Sequence, residues 1–214
     1  MAIDPRKRLD PERAEARREQ ILQAASVCFR RSGFHGASVA DIAKVANLSA
    51  GHIYNYFDGK EAIIAAIVER NVGDFMEFFE RVRLTPDIAA AMIEQVEAGV
   101  IDCTDPEKSS IQIEVLAEAS RNPKIATLVR AVDDLIRSRI EELVASVTGL
   151  TDPSHVASRV QVMMAFFDGI MVRSLIEPAL DREGITLVIK GVMAHLLTPV
   201  ALRAPASAAS ASHP

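Results

Sequence analysis

The chain has 214 residues, 49% apolar and 25% charged, which excludes a disordered or low-complexity protein and leaves room for a small domain joined to a larger one. Its formal net charge of −5 is unevenly placed: residues 1–60 carry ten Lys/Arg against seven Asp/Glu, so a basic surface for a polyanion belongs to the N-terminal module. Cys28 and Cys103 sit in apolar helical patterns without ligand-spaced partners, and no apolar run has the length of a signal peptide or of the ~20-residue membrane span, so core thiols and a cytoplasmic protein are expected.

Alternating strand patterns are scarce and apolar residues recur at three and four, which predicts an all-α fold of about nine helices. Residues 1–16 form a charged arm. Its Arg6, Lys7, Arg8 and Arg13, followed by Arg17 and Arg18, are interleaved with acids, the pattern of a solvated helix that can also lie along phosphates. A first helix puts Ile21, Leu22, Ala25, Cys28 and Phe29 on one face and closes at Gly33. Ser38 with Asp41 is a variant capping box for the short segment VADIAKVA; Asn47 and Leu48 break it, and Ser49 caps a second short helix, AGHIYNYF. Asp58 with Glu61 opens a long fourth helix whose apolar positions run from Ile64 to Val82.

Beyond residue 84 one device repeats. Thr85-Pro86, Asp105-Pro106, Asn122-Pro123 and Asp152-Pro153 each place a capping side chain before a proline suited to the first helical turn, predicting helices over 86–103, 106–121, 123–148 and 153–177. Gly149 suits the C-cap of the third, Pro178 stops the fourth, and a last helix over 182–198 precedes a small, polar tail, 203–214, expected to be disordered.

Two short helices joined by a tight turn after a longer one form a helix-turn-helix on a scaffold. Val39, Ile42, Ala43, Val45, Leu48, Ile53 and Phe57 supply its small core, leaving Ser49, Ala50, Gly51, His52, Tyr54, Asn55 and Tyr56 around the second helix, which is narrow enough for a major groove. The stretch SVADIAKVANLSAGHIYNYFDGKEAI resembles the DNA-binding domain of the tetracycline-repressor (TetR) family through Ser38, Ile42-Ala43, Ala46, Leu48-Ser49, Gly51, Tyr54, Phe57, Lys60 and Glu61. Two positions depart from the family pattern: Asn47 stands for the turn glycine, a substitution that the left-handed conformation tolerates, and Tyr56 stands for the histidine before Phe57.

The resemblance implies that Ser38, Tyr54, Tyr56 and Lys60 contact phosphates while Ala50, Gly51, His52 and Asn55 face base edges. The residues also permit plainer roles. Ser38 and Ser49 serve equally as caps, Tyr54 or Tyr56 can cover the domain core, and His52 can be a surface polar group.

The division expected is an arm (1–16), a DNA-binding domain (17–62), a ligand-binding and dimerisation domain (63–202) and the tail (203–214). The segment FFDGIMVRSLIEP resembles the family's penultimate helix. Its helix is apolar on more than one side, from Val156 to Ile176, which the family explains by pairing the last two helices with those of a second subunit; burial within one monomer also fits. Met92, Val96, Leu116, Met163 and Phe167 are candidates to line an effector pocket, and ordinary core is the alternative for each. Glu114 and Glu118 share a helix face that either selects a cation or is salt-bridged in solvent.

No nucleophile–base pair, metal-spaced cluster or glycine-rich phosphate loop is present, so no enzyme, cofactor or metal site is expected. The resulting expectation is a homodimeric regulator, a repressor released from operator DNA by a small molecule. An activator, or a helical module binding proteins without DNA, is the alternative.

Overall fold

The computed structural model describes residues 11–199, so Arg6–Arg8 and the 203–214 tail lie outside the described residues. Among those described there are ten helices and no strand: α1 (Pro11–Gly36), α2 (Val39–Val45), α3 (Ala50–Tyr54), α4 (Lys60–Arg83), α5 (Ile88–Glu94), α6 (Val96–Cys103), α7 (Pro106–Ala119), α8 (Pro123–Thr148), α9 (Pro153–Ile176) and α10 (Arg182–Leu196).

The expected caps at Asp105, Asn122 and Asp152 are formed, each side chain accepting a backbone N–H in the first turn just before its proline, and Gly149 ends α8 in the left-handed conformation at φ 67°. Two expected starts differ. Thr85 turns its hydroxyl back to donate to the Val82 carbonyl at 2.8 Å, and Asp87 takes the cap by accepting from the Ala90 N–H at 2.9 Å. Gln95 then stands between α5 and α6, so one expected helix is two. Asp58 does not cap α4 either: Gly59 occupies that position at φ 143° without any side-chain cap.

Burial divides into three clusters. The first joins Ile21, Leu22, Ala25 and Phe29 of α1 with Ile42, Ile53, Phe57 and with Ile63, Ile64 and Ile67 of α4, and takes in Ile111 and Val115 of α7 and Ile125 of α8. The second packs Val96 and Val100 of α6 against Val156, Val160, Met163 and Ile170 of α9 and Ile189 and Met193 of α10. The third, Phe79, Val82 and Leu143, lies where α4 meets α8. Ile63, Ile64 and Ile67 are fully buried, and each contributes roughly 1.5–3 kcal/mol by leaving water. The expected boundary after residue 62 therefore falls inside α4, whose first turns belong to the N-terminal core while its last turns pack on the C-terminal helices.

Both cysteines are free, Cys28 buried and Cys103 half-buried. Burial, with Asp168 and Asp102 adding to it, pushes the Cys103 thiol up to about 11, so it stays protonated and packs as a small apolar group.

α6 and α9 approach closely because residue 99 has no side chain: a Cβ there would stand 2.6 Å from Cε1 of Phe167. Gly99→Ala is therefore expected to cost roughly 1–3 kcal/mol through overpacking. Gly73→Ala, in α4 with nothing within 4 Å, is expected to gain up to ~1 kcal/mol from helix propensity. Thermal denaturation of the two variants should move in opposite directions; equal shifts would contradict the packing of Phe167 on α6.

Candidate nucleic-acid interface

The turn between α2 and α3 follows from its hydrogen bonds. Asn47 adopts φ 53°, the Leu48 N–H donates to the Ala43 carbonyl at 2.8 Å and the Asn47 N–H to the Lys44 carbonyl at 3.2 Å, the paired bonds of a Schellman ending. Asn47 thus does what a glycine does in this turn, as the sequence implied. Gln20 of α1 completes it by donating from Nε2 to the Ala46 carbonyl at 2.6 Å, while Arg17 donates to the Gln20 Oε1. Arg18 lies over the ring of Phe57, 4.6 Å from its centroid. These contacts join residues far apart in the sequence, and no periodicity announces them.

The expected capping box is present. The Asp41 N–H donates to Ser38 Oγ at 3.1 Å, and the Ser38 N–H and hydroxyl both donate to Asp41 Oδ2, at 2.9 and 2.5 Å. Ser49 accepts the His52 N–H at 3.1 Å and so caps α3.

Within α3 only Ile53 is buried. Ser49, Gly51, Tyr54 and Asn55 are exposed, Ala50 and Tyr56 half-buried, and open space lies where a Cβ of Gly51 would stand. His52 is turned inward: its ring lies 5.6 Å from that of Tyr56 between centroids, and its Nε2 is enclosed without a hydrogen-bond partner. The outward set is thus smaller than the sequence suggested, and the helix is five residues long where AGHIYNYF had implied eight, with Asn55 serving as its C-cap.

Lys60 has a different environment from the phosphate role that the resemblance implied. Its ammonium donates to the carbonyls of Phe34 and Ala37, both at 2.6 Å, and of His35 at 3.4 Å, and stands 4.8 Å from the centroid of the Phe34 ring. Three acceptors match the three N–H groups of an ammonium.

Glu114 and Glu118 face the N-terminal helices. Glu114 Oε2 accepts the Phe34 N–H at 3.1 Å, Glu118 Oε1 accepts from Asn122 Nδ2 at 3.1 Å, and Arg30 pairs with Glu107 at 2.9 Å. Glu118 is buried, 2% exposed, so the solvated salt-bridged face expected for it is corrected. Its Oε2 lies 3.0 Å from His35 Nε2 without hydrogen-bond alignment, a contact of charges when the imidazole is protonated. Of the pocket candidates, Val96 and Met163 lie in the second core with Met92 and Phe167 packed against it, whereas Leu116 is 41% exposed on α7 and stands apart.

Residues 21–67 match the family described as bacterial regulatory proteins, tetR family, and residues 89–198 match the one described as BetI-type transcriptional repressor, C-terminal. The HTH-type transcriptional regulator UidR of Escherichia coli (strain K12) is 30% identical over 121 residues, which span 55% of this chain and 59% of that protein. Two solved structures share the fold. Salmonella enterica GusR has a TM-score of 0.72 at 23% identity over 85% of this chain and 95% of that one, and the fatty acid degradation regulator FadR from Bacillus halodurans has 0.71 at 21% over 87% and 96%.

The capping box yields a test by titration. The Ser38 hydroxyl, and after it the Ser38 amide, hold the Asp41 carboxyl below the usual carboxylate range. A depressed folded value means that this group's stabilisation is present above the unfolded pKa, about 3.9, and is lost as pH falls through the lower folded value. In Ser38→Ala the Asp41 titration followed by NMR should move upward and the melting temperature at neutral pH should fall. An unmoved titration would show that the pair does not form in solution.

Proposed function

The chain belongs to the tetR family of bacterial regulatory proteins, a family of transcriptional regulators and not of enzymes, and from that premise we propose that it represses transcription by binding operator DNA as a homodimer. The observation that carries this reading is the outward surface of α3, with open space above Gly51 and Tyr54 and Asn55 exposed beside it, on a capped helix short enough to enter a major groove. In this reading Ser49, Gly51 and Asn55 meet base edges, with Ala50 and His52 at the margin. Tyr54 contacts phosphate, and Ser38 and Tyr56 extend the contact along the backbone where their caps and packing allow it. Residues 17–62, with the first turns of α4, act as the reading unit, and α5 to α10 as the regulatory and dimerising one.

One recognition helix reads too few bases for useful specificity, so a second copy is required. Its seat is argued from apolar exposure: Ile176 of α9 is 65% exposed, Leu187 and Val188 of α10 are 74% and 66% exposed, and Val162, Val172 and Leu175 extend the same two helices' uncovered positions. Single exposed apolar residues are ordinary; this many on two helices supports an interface there. Selection from random duplexes should therefore return an inverted repeat whose half-sites lie about one helical turn, ~34–36 Å, or a multiple apart. Leu187→Glu with Val188→Glu should leave a folded chain that sediments as a monomer and loses the repeat. Recovery of asymmetric sites alone, or a wild type that is monomeric at micromolar concentration, would sink the reading.

For the effector, the second core is the proposed seat: Met92, Val96, Met163 and Phe167 pack there, and flexible methionines with an aromatic ring can rearrange around a small, largely apolar ligand. α4 carries the signal. It begins beside α3 and ends against α5 and α8 in the third cluster, 24 residues later, or ~36 Å at 1.5 Å per residue. A ligand that lowers operator affinity tenfold needs about 1.4 kcal/mol of coupling, and must itself bind tenfold more weakly to the operator complex. Calorimetry of a ligand found by thermal shift, with and without operator, should return equal factors. Ligands that stabilise the protein and never change operator affinity would rule out release by an effector.

A further inference from the structure

Lys60 is the first residue of α4, where the helix dipole disfavours a cation. Its ammonium lies instead at the far end of α1, among carbonyls that a cation stabilises. Those carbonyls line the corner between α1 and α2. At Gly33 the helix is interrupted by φ 72°, ψ 165°, and the Ala37 carbonyl immediately precedes Ser38, the cap of α2. The same corner is held from the opposite side by α7. Glu114 accepts the Phe34 N–H, its carboxylate lies 3.6 Å from where a Cβ of Gly33 would be, and Glu118 meets His35.

We propose that Lys60 is a positioning residue for DNA recognition: its ammonium clamps the Phe34–Ala37 corner, fixing α2 and hence α3 against α4, in a corner that α7 grips from the other side. This rests on the DNA-binding reading above. It differs from a phosphate contact in a measurable way. A lysine that neutralises a phosphate releases a counterion, and its loss shallows the plot of log affinity against log salt by about 0.9. A lysine held by three carbonyls leaves that slope alone. Arginine also separates the cases, because a planar guanidinium serves a phosphate as well as an ammonium does but does not fit three converging carbonyls.

The experiment is operator binding by the full chain across a salt series for wild type, Lys60→Met and Lys60→Arg, with helicity by circular dichroism and amide exchange at residues 34–38 in the DNA-free protein. Both variants are expected to lose affinity about tenfold at every salt concentration with the wild-type slope, and to exchange faster at Phe34, whose N–H also reports on the Glu114 bond. A Lys60→Met slope shallower by about one unit with wild-type affinity in Lys60→Arg overturns the inference and makes Lys60 a phosphate contact. Lower melting temperature with unchanged operator affinity also overturns it, since the role is then structural only. If Lys60→Met does not fold, Lys60→Arg decides by the same criteria. A wild type that binds no duplex overturns the DNA-binding reading itself, an outcome distinct from either.

Discussion

The first core is shared, and the rest of the molecule depends on that sharing. α2 and α3 are seven and five residues long, and helices of that length do not hold their shape in water. They are stabilised by Ile42, Ile53 and Phe57 packing on α1 and α4, and that packing is closed by Ile111, Val115 and Ile125 from helices far along the chain. The reading unit is therefore not a separate body on a tether. A shift of α7 or the start of α8 bears on the core beneath α3, because close-packed interiors transmit displacement.

Polar contacts give that shared core its register. An apolar seam between α1 and α7 tolerates sliding; Arg30 with Glu107, the Phe34 amide with Glu114 and His35 with Glu118 do not. Glu118 is the sharpest case. A carboxylate that is 2% exposed is costly unless its partners are in place; Asn122 and Arg121 supply them from just along the chain, and His35 of α1 meets the same group only when α1 and α7 are aligned. Asn122 also donates to Glu61 of α4 at 3.1 Å, so the turn before α8 joins α7 to the first turn of α4. Specificity of alignment, more than net stability, is what such a cluster contributes.

Local chemistry was legible in the sequence to the extent that it was local. The Ser38–Asp41 box, Ser49, the left-handed Asn47, the three Asx-Pro starts and Gly149 all act within four residues of themselves, and each is found where its residue type placed it. Thr85 misled because Asp87, two residues on, offers a better acceptor to the same first turn. The candidate site was legible as a segment but not as a surface. The pattern around Gly51 and Tyr54 located α3, yet it does not show that the His52 ring lies against that of Tyr56, four residues on. Lys60 showed the limit most plainly: nothing in the pattern announces that its ammonium meets the carbonyls of residues 34, 35 and 37, some 25 positions earlier.

Charge distribution makes these features parts of one design. Residues 1–60 carry a small basic excess, while the rest of the chain carries fourteen Lys/Arg against twenty-two Asp/Glu. An acidic body repels a polyanion, which orients the basic module toward DNA and keeps the C-terminal helices away from it. Near the turn between α2 and α3, Lys60 lies on carbonyls and Arg18 over the Phe57 ring, while Lys44 in the last turn of α2 stays exposed. The uncovered apolar positions of α9 and α10 belong to that acidic body, not to the basic module. α4 joins the two, its first turns in the N-terminal core and its last against α5 and α8, so a displacement at either end bears on the other.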